Sequence, residues 1–194
     1  MRAFEDFNSV QEYTTFQKLP AGAYKIRIFR AEDTPDALCL LFDIVDGEYQ
    51  DYFKNKLADD RKSYGADKAK FKGVLRFWYP DGGEHDDSKK RRLKTALKTI
   101  NDSNRLGIDF TKEWDGAQLS GAVVGMIFRD KEWSYNGKTG FTAQPYSVIS
   151  LDDLNSGNYK IPEPLTLSPA ATAYSAPTAA AAPMTPPLDD DLPF

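Results

Sequence analysis

The 194-residue sequence predicts a mainly β domain with one helix, followed by a tail without regular structure. Short runs alternate apolar and polar side chains with the period of a β-strand, and one segment repeats apolar residues at helical spacing. Residues 161–187 are mostly Pro, Ala, Thr and Ser. Such a segment buries too little apolar surface to offset its ordering entropy, so we expect it to be a disordered linker.

The first two predicted strands are apolar on the side that would face a core. The first, residues 22–32, alternates so that Lys25 and Arg27 lie on the face opposite its apolar side chains. The second, residues 37–45, is an apolar run that ends at the turn Asp46–Gly47. We therefore expect a hairpin to begin at this turn.

The next part of the chain is predicted to contain a returning strand, residues 48–54, and then a basic stretch, 54–72, with little periodicity. A further strand is predicted over residues 73–79. Its alternation indicates that Leu75, Phe77 and Tyr79 face the core, which leaves two residues as better ligand candidates. These are Arg76 and Trp78.

An amphipathic helix is predicted from the N-cap candidates 86–88 to about 104–107, and a long hairpin follows it. The hairpin strands are residues 119–130 and 139–149, with the turn Asn136–Gly137 between them. Strands, one helix and then a hairpin is the order of an OB-fold, a five-stranded barrel whose helix lies between strands three and four. Another α+β domain and a β-sandwich with a helix are the alternatives.

The composition excludes several classes of protein. One cysteine, Cys39, and one histidine, His85, exclude an intrachain disulfide framework and disfavour a structural zinc site. No run of about 18 apolar residues predicts a membrane span, and the N-terminus has no apolar signal region. We expect a cytoplasmic protein without a cofactor.

The net charge of −4 comes from the C-terminal end of the chain. All 25 Lys and Arg lie at or before Lys160, whereas four acids lie beyond it. The last seven residues, 188–194, combine acids with an apolar ring and a terminal carboxylate, which suits a basic pocket with an apolar floor. This candidate protein-interaction tip contains Asp189, Asp190, Asp191, Leu192, Pro193 and Phe194. A solubilising tail is the alternative.

Asp-Asp-Asp-Leu-Pro-Phe, behind a Pro-rich linker and a β-rich domain, resembles the tip of single-stranded-DNA-binding proteins of bacteria and their phages. The resemblance implies recruitment of replication, recombination or repair enzymes. Residues 72–82, 135–140 and 160–162 further resemble phage-encoded members, which implies the cytoplasm of a bacterial host. The bacterial N-terminal pattern is absent and the linker is Ala/Pro-rich, so a homo-oligomer is possible but the bacterial tetramer is not implied.

The resulting organisation is an OB-fold nucleic-acid-binding domain over 1–160, the linker 161–187 and the tip 188–194. Residues 54–98 hold 14 Lys and Arg against seven acids, with aromatic residues interleaved. Cations for the backbone and aromatic rings for the bases are what binding of single-stranded DNA requires. The candidate DNA-binding residues are Lys25, Arg27, Lys54, Lys56, Lys70, Lys72, Arg76, Trp78, Arg129, Lys131, Trp133, Tyr135, Lys138 and Phe141.

Three other functions remain open at this point. One is a recombination mediator or annealing protein, which would also bind DNA. Another is a nuclease that holds Mg²⁺ with carboxylates clustered near the Asp46–Gly47 turn, namely Asp43, Asp46, Glu48 and Asp51. The third is an adaptor that binds only proteins. The basic run 89–92 is interpreted as a solvated face, with phosphate contacts or a dock for the acidic tail as alternatives.

Overall fold

Five antiparallel strands form one open sheet in the computed structural model, which describes residues 16–167. The strands are β1 (Gly22–Asp33), β2 (Ala37–Ile44), β3 (Val74–Trp78), β4 (Val123–Tyr135) and β5 (Lys138–Ile149). Their order across the sheet is β3-β2-β1-β4-β5. Within the described residues no ladder joins the two edge strands, β3 and β5. The predicted mainly β class is therefore confirmed, with the sheet open between its edges.

The core lies on one face of this sheet because apolar side chains alternate with polar ones along the strands. Leu75 and Phe77, which the alternation assigned to the core, are buried, and Tyr79 is half-buried beside it. The strand residues of this core are Ile26, Ile28, Leu38, Leu40, Phe42, Ile44, Leu75, Phe77, Val124, Met126, Phe128 and Val148. Strand alternation thus predicted which side chains are internal.

Three α-helices occur in the described residues, so the prediction of a single helix was wrong. They are α1 (Tyr52–Tyr64), α2 (Asp86–Asn104) and α3 (Leu151–Ser156), and a short 3-10 helix, Gly116–Leu119, precedes β4. The helix that the sequence predicted is α2. It buries Ala96, Leu97 and Ile100 against the sheet and contacts β3, β4 and β5.

Helix α1 replaces the predicted returning strand 48–54 and part of the basic stretch 54–72. Its first turn is fixed by the buried carboxylate of Asp43 in β2, which accepts hydrogen bonds from the backbone N–H groups of Phe53 (2.9 Å) and Lys54 (3.0 Å). The Phe53 ring packs edge-on against Phe42, with ring centroids 5.5 Å apart. The strand prediction failed because these contacts come from residues about ten positions upstream.

The β4–β5 hairpin extends beyond the rest of the sheet. Strand β1 pairs with β4 only as far as Gly22 opposite Phe128, whereas β4 and β5 remain paired up to Tyr135 opposite Lys138. We call residues 129–144 the ribbon. The turn at its tip is Asn136–Gly137, as predicted, and both residues have positive φ angles of 49° and 73°. Two left-handed residues give the turn whose twist matches that of the strands.

Residues 161–167, the start of the predicted linker, lie along the β4 edge of the ribbon. Leu165 donates its backbone N–H to the carbonyl of Asp130 and accepts the N–H of Glu132, both at 2.8 Å. The Leu167 N–H donates to the Glu132 carboxylate at 3.0 Å. This part of the linker is therefore held against the domain. The remaining predicted linker, 168–187, and the tip lie outside the described residues.

Membrane insertion through a helix finds no support in this fold. None of the helices between residues 16 and 167 is long and apolar enough to cross a bilayer.

Candidate nucleic-acid interface

The ribbon has two faces of opposite charge because side chains alternate along its strands. The basic face consists of four opposed pairs: Arg129 and Gln144, Lys131 and Thr142, Trp133 and Gly140, Tyr135 and Lys138. The acidic face consists of three: Asp130 and Ala143, Glu132 and Phe141, Ser134 and Thr139. All the cations of the ribbon lie on one face and all its carboxylates on the other.

The three cations of the basic face have no carboxylate partner among residues 16–167. Ten ion-pair contacts occur within residues 16–167, and none involves Arg129, Lys131 or Lys138. Their charge is therefore available to an anion. Phosphate groups of a nucleic acid are the anions that such a row of cations binds most commonly.

Trp133 lies flat across the ribbon on Gly140. A Cβ atom on that glycine would lie 2.8 Å from Cζ2 of the indole, closer than packed side chains come. The indole is half-buried, and Tyr135 next to it on this face is 45 % exposed. One side of the Trp133 ring is thus fixed by the backbone, which leaves the other side for a stacking partner.

Phe141 and Tyr146 lie on other surfaces than the prediction implied: Phe141 is not on the basic face, and Tyr146 contacts it. Phe141, a predicted DNA-binding residue, lies opposite Glu132 on the acidic face, although its ring is 45 % exposed. Tyr146 was not predicted, yet its ring contacts the Arg129 guanidinium of the basic face at 4.7 Å. A bulge in β5 at Tyr146 breaks the regular alternation, and the sequence carries no signal for that bulge.

The basic segment, residues 54–72, lies near the same end of the sheet, and three of its seven cations contact a carboxylate. Lys56 and Lys72 contact the Asp60 carboxylate at 2.6 and 3.2 Å, and Asp60 is only 3 % exposed. Burial alone would raise the pKa of Asp60, but the hydrogen bonds from both lysines outweigh it and lower that pKa below its ordinary value. These two predicted DNA-binding lysines therefore attach α1 to the residues before β3.

Two further predicted lysines pair with acids on the surface. Lys54 contacts Asp51 at 2.9 Å, and this contact raises the pKa of the lysine. Lys25 contacts Asp46 at 3.3 Å. A phosphate group would have to displace a carboxylate to bind either one.

The other cations predicted outside the ribbon are not part of any ion pair in the described residues. Arg27 and Lys70 are exposed. Arg76 in β3 lies opposite Cys39 of β2 and is half-buried. Burial raises the pKa of the Cys39 thiol, although the Arg76 guanidinium beside it acts in the opposite direction.

Trp78 packs against α2 rather than standing free on the sheet. It is half-buried and lines a cavity of about 20 Å³ together with Ser88, Lys89 and Arg92 of that helix. A wall of this cavity is formed by Phe77. Trp78 is consequently a weaker candidate for base stacking than Trp133.

One exposed aromatic residue, Phe29, was missed by the sequence analysis. Phe29, at a bulge of β1, is 40 % exposed and meets the ring of Phe71 edge-on, with ring centroids 5.4 Å apart. Phe71 in turn packs on the buried Phe53. The alternation of β1 places Phe29 on the same face as Arg27, so that pattern could have indicated it.

The carboxylates considered for a metal-dependent nuclease have other partners. Asp43 accepts the backbone N–H groups of Phe53 and Lys54 at the start of α1 and that of Ile44 at the end of β2. Asp46 and Asp51 pair with lysines, and Glu48 accepts a hydrogen bond from Gln17. No group of three or more His, Cys, Asp or Glu side chains between residues 16 and 167 is arranged to hold a metal ion.

The basic face of the ribbon is therefore the part of the described chain where cations, exposed rings and the absence of acids coincide. Such a surface can bind a flexible polyanion that also presents flat rings. No protein-family model and no curated protein matches this sequence.

Proposed function

We propose that this protein binds single-stranded DNA without sequence specificity and recruits enzymes of replication, recombination or repair through its C-terminal tip. The observation that carries the proposal is the basic face of the ribbon, where Arg129, Lys131 and Lys138 share one face with Trp133 and Tyr135 and no described carboxylate lies on it. The sequence motif of the tip supports the second half of the proposal. The protein acts by binding, with no bond made or broken.

The basic face suits a single strand better than a duplex. In a duplex the rings of the bases are stacked on one another, so an aromatic side chain has no free base to stack on. Each base stacked on an aromatic ring contributes about 1–3 kcal/mol, and this contribution depends little on the base. Three unpaired cations bind the backbone, which is the same for every sequence.

The fold supports the proposal because its strand order is that of an OB-fold opened between β3 and β5. Helix α2 follows β3 in the chain, and its Arg92 contacts Phe77 of β3 and Tyr146 of β5. We infer an OB-type barrel in which α2 covers the gap between the edge strands. In OB-folds the loop between the last two strands, here the ribbon, takes part in binding oligonucleotides.

The test is a titration with oligo(dT), followed by tryptophan fluorescence, against duplex DNA of the same length. We expect quenching with the single strand and little with the duplex. Trp133→Ala should lower the affinity about 30-fold, equivalent to about 2 kcal/mol. Trp78→Ala should lower it less than threefold. No binding of any nucleic acid at 50 mM salt would overturn the proposal.

Gly140→Ala provides a matched variant that leaves the indole in the protein. The added methyl group would meet the Trp133 ring at 2.8 Å and displace it. We expect this variant to bind oligo(dT) several-fold more weakly while its fluorescence without DNA also changes. Unaltered affinity combined with a displaced ring would show that the orientation of Trp133 is irrelevant to binding.

The tip is tested by deleting residues 188–194. Partner enzymes should no longer be retained on immobilised protein, because the acids and the terminal Phe194 that a basic pocket recognises are gone. At low salt the affinity for oligo(dT) should rise, since the acidic tip no longer competes for the basic face. Affinity that stays constant or falls would contradict this competition.

A further inference from the structure

Two arginine side chains from different elements meet at Tyr146, the residue at the β5 bulge. Arg92 of α2 donates a hydrogen bond from its guanidinium to the Tyr146 backbone carbonyl at 2.6 Å. Arg129 of β4 lies over the Tyr146 ring, with its guanidinium carbon 4.7 Å from the centroid. Both guanidinium groups thus contact the same residue at the base of the ribbon.

Neither guanidinium is neutralised by the protein between residues 16 and 167. Arg92 and Arg129 form no ion pair there, and the second neighbour of Arg92 is the ring of Phe77, at 5.8 Å from its guanidinium carbon. Burial, with a smaller contribution from the positive charge of Arg129, lowers the pKa of Arg92. A half-buried cation next to a second cation is costly unless an anion joins them.

We propose that Arg92 and Arg129 together bind one phosphate group, at a site separate from the stacking position at Trp133. The proposal rests on the proposed function insofar as the phosphate belongs to the backbone of a DNA strand. A guanidinium has five N–H donors in a planar fork, and Arg92 uses one on the carbonyl of Tyr146. The remaining donors of the two side chains suit the several oxygens of a phosphate.

The position of this phosphate defines the path of the strand. Lys131 and Trp133 follow Arg129 on the basic face at intervals of two residues, which is about 7 Å in a β-strand. A strand bound by the arginine pair would therefore pass Lys131 and reach the Trp133 ring along one straight row. The inferred path runs from the tip of the ribbon towards α2.

The first experiment uses inorganic phosphate as the probe. The melting temperature is measured in phosphate and in chloride at matched ionic strength. With phosphate at about ten times its dissociation constant, we expect the wild-type protein to melt about 4 °C higher than in chloride. The increase should disappear in Arg92→Gln and in Arg129→Gln.

Matched variants separate the arginine pair from total charge. Arg91→Gln removes the same charge from an exposed position of α2 and should keep the full increase. Arg92→Lys retains the charge without the planar fork and should keep only part of the increase in melting temperature. If Arg92→Gln does not fold, Arg92→Lys takes its place in the comparison. An equal increase in all variants would overturn the site.

The second experiment asks whether the phosphate belongs to DNA. The logarithm of the oligo(dT) affinity is plotted against the logarithm of salt concentration, and its slope should become shallower by about 0.7 in Arg92→Gln or Arg129→Gln. The double variant should show the same change, since both side chains hold one phosphate. If only the melting experiment succeeds, the site binds free phosphate and its role in DNA binding is overturned. If wild-type protein binds no oligo(dT), the proposed function fails while the melting experiment still decides the site.

Discussion

The basic segment and the ribbon contain the same kinds of side chain but arrange their charges differently. In the segment 54–72, Lys54, Lys56 and Lys72 each contact an aspartate, whereas the other four cations form no ion pair among the described residues. On the basic face of the ribbon, the cations contact no carboxylate among the described residues and share that face with the rings of Trp133 and Tyr135. A count of Lys and Arg along the sequence favoured the segment, whereas this sorting of cations and rings onto one face favours the ribbon as the surface for a polyanion.

The difference follows from the geometry of helix and strand. In a helix, residues three or four apart are neighbours, so Lys56 contacts both Asp59 and Asp60. In a strand, neighbouring residues point to opposite faces, so Asp130 and Glu132 are separated from the cations between them. Acids and bases three or four residues apart therefore come close enough to pair in a helix, whereas alternating acids and bases are sorted onto opposite faces in a strand.

The largest effect that would test this comparison comes from the ribbon. The triple variant Arg129→Gln, Lys131→Gln, Lys138→Gln removes the three unpaired cations of the basic face. We expect oligo(dT) affinity at 50 mM salt to fall roughly 100-fold or more, and the salt slope to become shallower by about 2. Circular dichroism and melting would check that the fold is retained. A loss below threefold would place the DNA on another surface.

A smaller effect, mainly on stability, is expected at the buried carboxylate of the basic segment. Asp60→Asn removes the partner shared by Lys56 and Lys72 and should lower the free energy of unfolding at pH 7 by about 2 kcal/mol. Because the pKa of Asp60 lies below its ordinary value of 3.8, its contribution is present above about pH 4 and is lost as the pH falls further. The free energies of unfolding measured with urea at pH 7 and at pH 3 should therefore differ less in the variant than in the wild type.

The control for Asp60 is Asp59→Asn, since Asp59 is more exposed and lies 3.8 Å from the same Lys56. It should change stability by less than about 0.5 kcal/mol. Asp60→Asn also frees Lys72, whereas Lys56 keeps its contact with Asp59, so the oligo(dT) affinity of the variant at low salt should rise by a few-fold. An unchanged affinity would mean that the freed lysine does not reach the DNA.

The smallest effect is expected at the surface pairs. Lys25→Gln and Lys54→Gln each remove a cation that is already paired with an aspartate. Because a phosphate would have to replace that aspartate, we expect each variant to bind oligo(dT) within twofold of the wild type. A tenfold loss of affinity in either variant would show that these pairs open when DNA binds. Pairing with an aspartate would then not distinguish these lysines from the cations of the ribbon.

The fold could be predicted where the signals were local. Alternation located β1 and β3, an apolar run located β2, and the Asn136–Gly137 turn located the hairpin. Helix α1 was missed because Phe53 is its only buried apolar residue and the cap comes from Asp43, a residue of β2. The Asp46–Gly47 turn therefore looked like the start of a hairpin although a helix follows it.

The candidate site, like the fold, could be predicted only where the signal was local in the sequence. Alternation alone placed Trp133 and Tyr135 on one face of the ribbon. It could not show which lysines have carboxylate partners, because Lys72 meets Asp60 through the folding of α1 against the sheet. Nor could it indicate Arg92, whose guanidinium reaches a carbonyl 54 residues away at a bulge.

The pairing of Leu165 with the β4 edge has a mechanical consequence. The last described residues are attached to the ribbon by hydrogen bonds from Leu165 and Leu167, so residue 167 lies at the element that we propose to hold DNA. If an enzyme binds the tip as proposed, a pull on the chain would act on the ribbon before it acts on the sheet. The proposed recruitment would then weaken the proposed DNA contacts at the place where the enzyme needs access to the strand.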